Sequence, residues 1–106
     1  MYPIRYNERM NFIIQQTTTF AEWLHSLKDA QARRAIARRI ERATLGNFGD
    51  HKSVNDGVSE MRVDVGAGYR VYYTVRGNQI VILLVGGNKK TQSADIAHAK
   101  KLAKEY

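Results

Sequence analysis

The stretch from Ser59 to Gln92, SEMRVDVGAGYRVYYTVRGNQIVILLVGGNKKTQ, leaves the chain few folds to choose from. Met61, Val63 and Val65 alternate with Glu60, Arg62 and Asp64, the period of two expected of a strand with one buried and one solvated face. Gly66-Ala67-Gly68 then permits a tight reversal, because glycine takes positive φ at little cost. A second strand, Tyr69 to Val75, sets Val71, Tyr73 and Val75 against Arg70, Tyr72 and Thr74. Gly77-Asn78 supplies a two-residue hairpin turn. Ile80 to Val85 is apolar without a break, as in a central strand covered on both faces. The expectation is a three-stranded antiparallel meander with an apolar back and an open, charged front.

Counting Gly66 to Gly68 as the loop places Arg62 across from Tyr72 and Asp64 across from Arg70. Two guanidiniums, a phenol and carboxylates then share one face, a surface suited to holding a phosphate. Cross-strand charge pairing, at roughly 0.2–1 kcal/mol per pair, accounts for the same residues without any ligand.

Ahead of the meander, Phe12, Ile13 and Ile14 mark a strand within Met10 to Gln15. Thr19-Phe20-Ala21-Glu22 has capping-box spacing and opens a helix whose stripe of Phe20, Trp23, Leu24 and Leu27 faces the core. Asp29 can cap a second helix, AQARRAIARRIERATL, which Gly46 ends by suiting the left-handed C′ position. Ala32, Ile36, Ile40 and Ala43 form its buried stripe, and the two helices make a hairpin on the back of the sheet. Arg34, Arg38 and Arg42 recur every four residues on another face, with Arg33 and Arg39 beside them. That face is either simply solvated or a contact for phosphate or an acidic partner.

Gly46 to Val58, rich in Gly, Asn and Asp, reads as a loop that brings His51 and Lys52 to the edge of the charged face. His51 is there a candidate general base, set against an ordinary exposed loop histidine. Beyond the central strand, GGNKKTQ leads into a last helix, Ser93 to Lys104, capped by Ser93 or Thr91, with Ile96, Ala99, Leu102 and Ala103 on its apolar side. The two glycines suggest an anion cradle, but no GK[ST] follows at the spacing of a nucleotide phosphate loop. Nucleotide hydrolysis is excluded.

A chain of 106 residues makes one domain with a real core. It has no cysteine, which excludes disulfides and thiolate metal sites and suits a reducing, cytoplasmic setting. The polar start, MYPIRYNERM, and the lack of an apolar run of ~18 residues argue against secretion and membrane insertion. Lys and Arg number 17 against 10 acidic residues, a formal net charge of +7 that favours an anionic partner. No histidine pair has metal-ligand spacing and no Ser or Cys nucleophile has a recognisable setting, so neither a metal nor a small-molecule cofactor is expected.

Taken together, E-x-R, then G-x-G-Y-R-V-Y-Y, then L-L-x-G-G-x-K-x-x-Q, within the run from Leu45 to Ala103 and behind a helix hairpin, resemble the toxins of bacterial type II toxin–antitoxin modules. The superfamily is RelE/ParE, and the likeness is to its HigB-like branch of addiction-module killer proteins. The resemblance implies an α+β fold: an N-terminal strand, a helix hairpin, a three-stranded antiparallel meander and a C-terminal helix. It also implies cleavage of mRNA, often in the ribosomal A site, and silencing by a cognate antitoxin, here expected to be a small helix-turn-helix protein. A related branch poisons DNA gyrase instead. By position, Arg70 matches the phosphate-stabilising arginine of the nuclease branch. Arg62 falls at its basic residue on the preceding strand, and Lys89 or Lys90 near the one after the last strand. Asp95 stands near the position of a C-terminal tyrosine found in some members, and His98 lies further along than the C-terminal histidine of some HigB toxins. The acid and base therefore stay open among Glu60, Asp95, His51 and Tyr72, the last also able to stack on a base. Lys52, Lys89, Lys90, Arg34, Arg38 and Arg42 are the expected phosphate contacts. The alternatives are a non-catalytic inhibitor that binds gyrase and an inactive relic that still binds its antitoxin.

Overall fold

The computed structural model describes residues 11–106. Strand β1 (Ile13–Gln16) is followed by helices α1 (Thr18–Ser26) and α2 (Ala30–Thr44), strands β2 (His51–Ser53), β3 (Ser59–Val63), β4 (Tyr69–Arg76) and β5 (Ile80–Asn88), and, after a 3-10 turn at Lys89–Thr91, helix α3 (Gln92–Ala103). The strands form one sheet in the order β1-β5-β4-β3-β2, with β1 parallel to β5 and every other pair antiparallel. This is the mixed α+β arrangement expected from the sequence, with one added strand. Met10, where the expected first strand opened, lies outside the described residues.

That added strand is β2. The segment Gly46 to Val58 is not all loop: His51–Ser53 pairs with β3, with His51 opposite Met61 and Lys52 opposite Glu60. Asn55, Asp56 and Gly57 all take left-handed φ (77°, 55° and 75°), and this run of turn conformers folds the segment back on itself as a hairpin.

Both helices of the hairpin do pack on the back of the sheet, where Phe20, Ala35, Ile36 and Ala43 meet Met61, Val63, Val71, Tyr73 and Leu83. Asp29 caps α2 through its side chain, which accepts from the Ala32 N–H at 3.0 Å, and Gly46 follows the helix end at φ 85°. Helix α1 begins two residues earlier than its capping-box spacing suggested. The cap is Thr17, whose buried hydroxyl accepts from the Phe20 N–H at 3.0 Å and donates to the Leu84 carbonyl at 2.7 Å. A threonine that also satisfies a strand carbonyl outcompetes Thr19, which has no such partner among the described residues.

The front of the sheet is not open. Helix α3 lies across it, and Val58, Tyr72, Ile82, Leu84 and Val85 form a second apolar cluster with Ala99 and Ala103. The central strand β5 is therefore covered on both faces, as its unbroken apolar run implied. Gly86 and Gly87 belong to that strand rather than to an anion cradle, and each admits a neighbour that a side chain would exclude. A methyl on Gly86 would stand 2.1 Å from the Trp23 indole, and one on Gly87 1.8 Å from the Asp95 carboxylate. Helix α3 is fastened at its far end by Arg76, whose Nη2 donates to the Ala103 carbonyl at 2.7 Å and whose Nε donates to the Tyr106 carbonyl at 3.2 Å. A guanidinium there satisfies free carbonyls and complements the negative end of the helix dipole.

A candidate phosphate-binding groove at the β3–β4 hairpin

The hairpin joining β3 and β4 is longer than three residues. Gly66 and Gly68 both take positive φ (56° and 79°), and the Gly68 N–H donates to the Val65 carbonyl at 3.0 Å. Pairing therefore stops at Val63 opposite Tyr69. Each residue of β3 consequently faces a partner two positions away from the one a three-residue loop implies: Arg62 stands opposite Arg70, and Glu60 opposite Tyr72. A shift of two keeps every side chain on its face but changes who meets whom. Two guanidiniums face each other where an arginine and a phenol were expected.

Like charges across a strand pair repel, and the chain answers with a carboxylate. Glu60, fully buried, accepts from Arg62 Nε at 3.3 Å on Oε2 and from Arg70 Nε at 3.1 Å on Oε1. Oε1 also accepts from the Tyr72 hydroxyl at 3.2 Å and from Gln92 Nε2 at 2.8 Å. Burial works against the charged form of Glu60, but the hydrogen bonds from Gln92, Arg62 and Tyr72 and the charge on Arg70 outweigh it and hold the carboxyl below its ordinary range. Burial, reinforced by the neighbouring Glu60 charge, pushes the Tyr72 phenol well above its ordinary range, so Tyr72 is an O–H donor at neutral pH. Glu60 alone offsets only one of the two arginine charges. The Arg62 side chain remains 37% exposed and that of Arg70 13%, so the remaining charge borders solvent.

It borders a groove of about 270 Å³, lined by Asp50, Arg62, Val63, Asp64, Gly68, Tyr69, Arg70 and Lys89. Lys89 reaches it over Gly68: its N–H donates to the Gly68 carbonyl at 3.2 Å, and a methyl on Gly68 would stand 2.7 Å from Lys89 Cε. Three cations gathered on one concave surface can hold a phosphate and stabilise charge that develops on it.

The remaining candidates are scattered. Lys52 and Lys90 are exposed and lie outside the groove lining. Asp95 sits in the first turn of α3 above Gly87 and accepts a hydrogen bond from the Thr91 hydroxyl. His51 pairs with Met61, on the α1–α2 side of the sheet, beside the Phe48 ring at 5.8 Å and with Nδ1 2.8 Å from the Gly49 carbonyl. It therefore stands on the opposite face from Glu60, Arg62 and Arg70. Of the α2 arginines, Arg34, Arg38 and Arg42 are exposed, and the latter two line a second groove of about 220 Å³ with Ala35, Arg39 and Val63 to Val65.

Arg39 differs from its neighbours. Its guanidinium donates to the Arg62 carbonyl, to Phe48 O at 3.0 Å and to Asp50 O at 3.3 Å, fastening α2 to β3 and to the segment before β2. Burial lowers its pKa while Asp50 opposes that shift, and an arginine starts so high that it keeps its charge. Arg39→Ala should cost about 1–3 kcal/mol through the Arg62 and Phe48 carbonyls, which lose their donor, while Asp50 O keeps the Arg62 N–H at 2.9 Å. Arg38→Ala, at an exposed position, should stay within about 0.5 kcal/mol. Denaturant unfolding of the two variants checks this, and equal losses would refute it.

Gln92 and Asp50 were given no role in the site from the sequence, and Gly68 only that of a turn residue. Gln92 closes the signature L-L-x-G-G-x-K-x-x-Q, and a polar residue fixed at a helix start behind a strand was the available signal. Asp50 lay hidden in the supposed loop. Among the described residues, no group of three or more His, Asp or Glu could hold a metal, and no helix is long and apolar enough to cross a membrane.

Comparison with known proteins agrees with the signature. The chain is 52% identical, over 96 residues that make up 91% of it and 97% of its relative, to an uncharacterized protein of Haemophilus influenzae. Residues 22–106, from within α1 to the end, match the family described as phage-derived protein Gp49-like (DUF891). The chain belongs to this Gp49-like family, addiction-module toxins of the RelE/HigB type, which implies an antitoxin as partner.

Proposed function

We propose that this toxin is a metal-independent endoribonuclease of the HigB-like kind, cutting mRNA on the ribosome and so arresting translation, until a cognate helix-turn-helix antitoxin silences it. The observation that carries the reading is the convergence of Arg62, Arg70 and Lys89 on one groove, with the two arginines held by a buried carboxylate. In the reaction, an RNA 2′-oxygen attacks the adjacent phosphorus and the 5′-oxygen leaves, giving a 2′,3′-cyclic phosphate and a 5′-hydroxyl. Negative charge accumulates on the phosphorane, where prepositioned guanidiniums act with little reorganisation. The 2′-hydroxyl proton must pass to a base, and the leaving oxygen must receive one. Glu60 is a poor base here, since four donors already occupy its carboxylate. Asp50 and Asp64 line the groove as candidate bases, and the Lys89 ammonium and Tyr69 phenol line it as candidate acids.

Primer extension across several cellular mRNAs, minutes after the chain is induced in a bacterium, tests this. Cuts within translated frames are the expected result. Intact messages in arrested cells would reject it and favour the alternative, a non-catalytic inhibitor acting on gyrase, which a supercoiling assay then measures. Neither cuts nor arrest would leave an inactive antitoxin-binding relic.

A further inference from the structure

The groove on α2 is not isolated from the groove at the hairpin. Both are lined by Val63 and Asp64, so the two meet at the C-terminal end of β3, beyond its pairing with β2. Arg39 makes the junction rigid, because its guanidinium spans from α2 to the carbonyl of Arg62 itself. Arg38 and Arg42 lie one turn apart on the rim, and like charges at that spacing repel. Among the described residues, neither has an acidic partner within 4.0 Å. Such a pair, exposed beside a cleft whose lining sets Asp64 alone against three arginines, suits an anionic ligand.

We propose that the α2 groove is a second phosphate subsite, through which a single RNA strand held by Arg62 and Arg70 continues round the C-terminal end of β3 onto Arg38 and Arg42. This rests on the nuclease reading and gives it a footprint longer than the cleaved step. The cation arrangement suits a polyanion that runs from one groove to the other. The sign of Asp64 suits RNA in particular: a carboxylate at the crossing repels phosphate but accepts hydrogen bonds from ribose 2′-hydroxyls. Phosphates are then gripped on either side while a sugar passes the strand end. An acidic protein segment is the less favoured occupant, since Ala35 and Val63 are 9% and 3% exposed and leave little apolar floor for anchoring side chains.

The test is fluorescence anisotropy with the full chain and labelled RNA oligonucleotides of two lengths, one short enough to fill only the hairpin groove and one several nucleotides longer. The doubly substituted Arg38→Ala, Arg42→Ala variant should bind the short RNA as the parent does and the long RNA about tenfold more weakly. Its dependence on salt should fall by about 1.4 in slope, from about 0.7 for each of two lost phosphate contacts on a single strand. Arg62→Ala should weaken both lengths. Equal losses on both oligonucleotides, or none, would overturn the proposal. So would unchanged RNA binding together with weakened binding of a polyglutamate probe, which would make the groove a protein contact. Cleavage in cells is scored separately. Cuts that persist in the presence of a failed length effect sink the subsite alone, whereas length-dependent binding without cuts sinks only the nuclease reading. A parent chain that binds neither RNA sinks the subsite, and the cuts in cells still decide the nuclease reading.

Discussion

Glu60→Ala is expected to destabilise the fold by about 3 kcal/mol, the lower end of what breaking a buried, hydrogen-bonded charge pair costs. The lower end applies because Arg62, with its side chain 37% exposed, can turn to water. Arg70, Tyr72 and Gln92 are more enclosed and would lose their shared acceptor together. At roughly 4–5 °C per kcal/mol for a domain of this size, the midpoint of thermal unfolding should drop by about 12–15 °C at pH 7. Tyr72→Phe removes one of four donors and should cost only about 1 kcal/mol. The pH dependence follows from the direction of the Glu60 shift. Its folded pKa lies below its unfolded value, ordinarily about 4.3. The stabilisation it supplies is therefore complete above about pH 5 and is lost as pH falls through the folded value. Melts of the parent should decline below that range, and Glu60→Gln, which cannot ionise, should remove part of the decline. A Glu60→Ala change worth less than about 1 kcal/mol would mean that the two arginines are held apart by something else.

Much of this site could be read from the chain before its structure, and the reason lies in periodicity. The alternation through Glu60, Arg62, Arg70 and Tyr72 assigned all four side chains to one face, and a two-residue error in register left that assignment intact. Asp29 and Gly46 bounded α2 because caps are local chemistry, complete within a few residues. The burial of that face was not legible. Nothing in β3 or β4 announces that α3 will cover Tyr72 and Glu60: the apolar side of that helix, Ile96, Ala99, Leu102 and Ala103, shows that it packs but not on which face of the sheet. His51 was misplaced for a related reason. Its segment reads as loop by composition, and only the left-handed run Asn55 to Gly57 converts it into an edge strand that points the histidine to the other face. Arg39 looked like one more member of a charged run because its three acceptors are backbone carbonyls, which have no signature in sequence.

Arg70→Ala should abolish toxicity on induction and lower the rate of message cleavage by about 10²- to 10³-fold, the loss that follows removal of one preorganised donor from developing negative charge. Arg70 carries two roles that the variant would remove at once. It faces the groove, and it donates to Glu60 from within the sheet at 3.1 Å. Loss of activity therefore means little unless the fold survives. Three donors remain on Glu60 in the variant, so the structural cost should be about 1–2 kcal/mol, which a thermal melt can measure and which leaves most of a typical stability intact. Antitoxin binding should persist. Arg70→Lys separates the roles further: the charge at the groove remains, while the planar fork that can serve Glu60 and a phosphate together is gone. It should retain part of the cleavage, with Arg70→Ala below it and the parent above. Arg62→Ala should fall by a smaller factor, since Arg62 is the more solvated of the pair and contributes a more screened charge. Full cleavage by a folded Arg70→Ala chain would remove the hairpin groove as the site of reaction, whatever its affinity for anions.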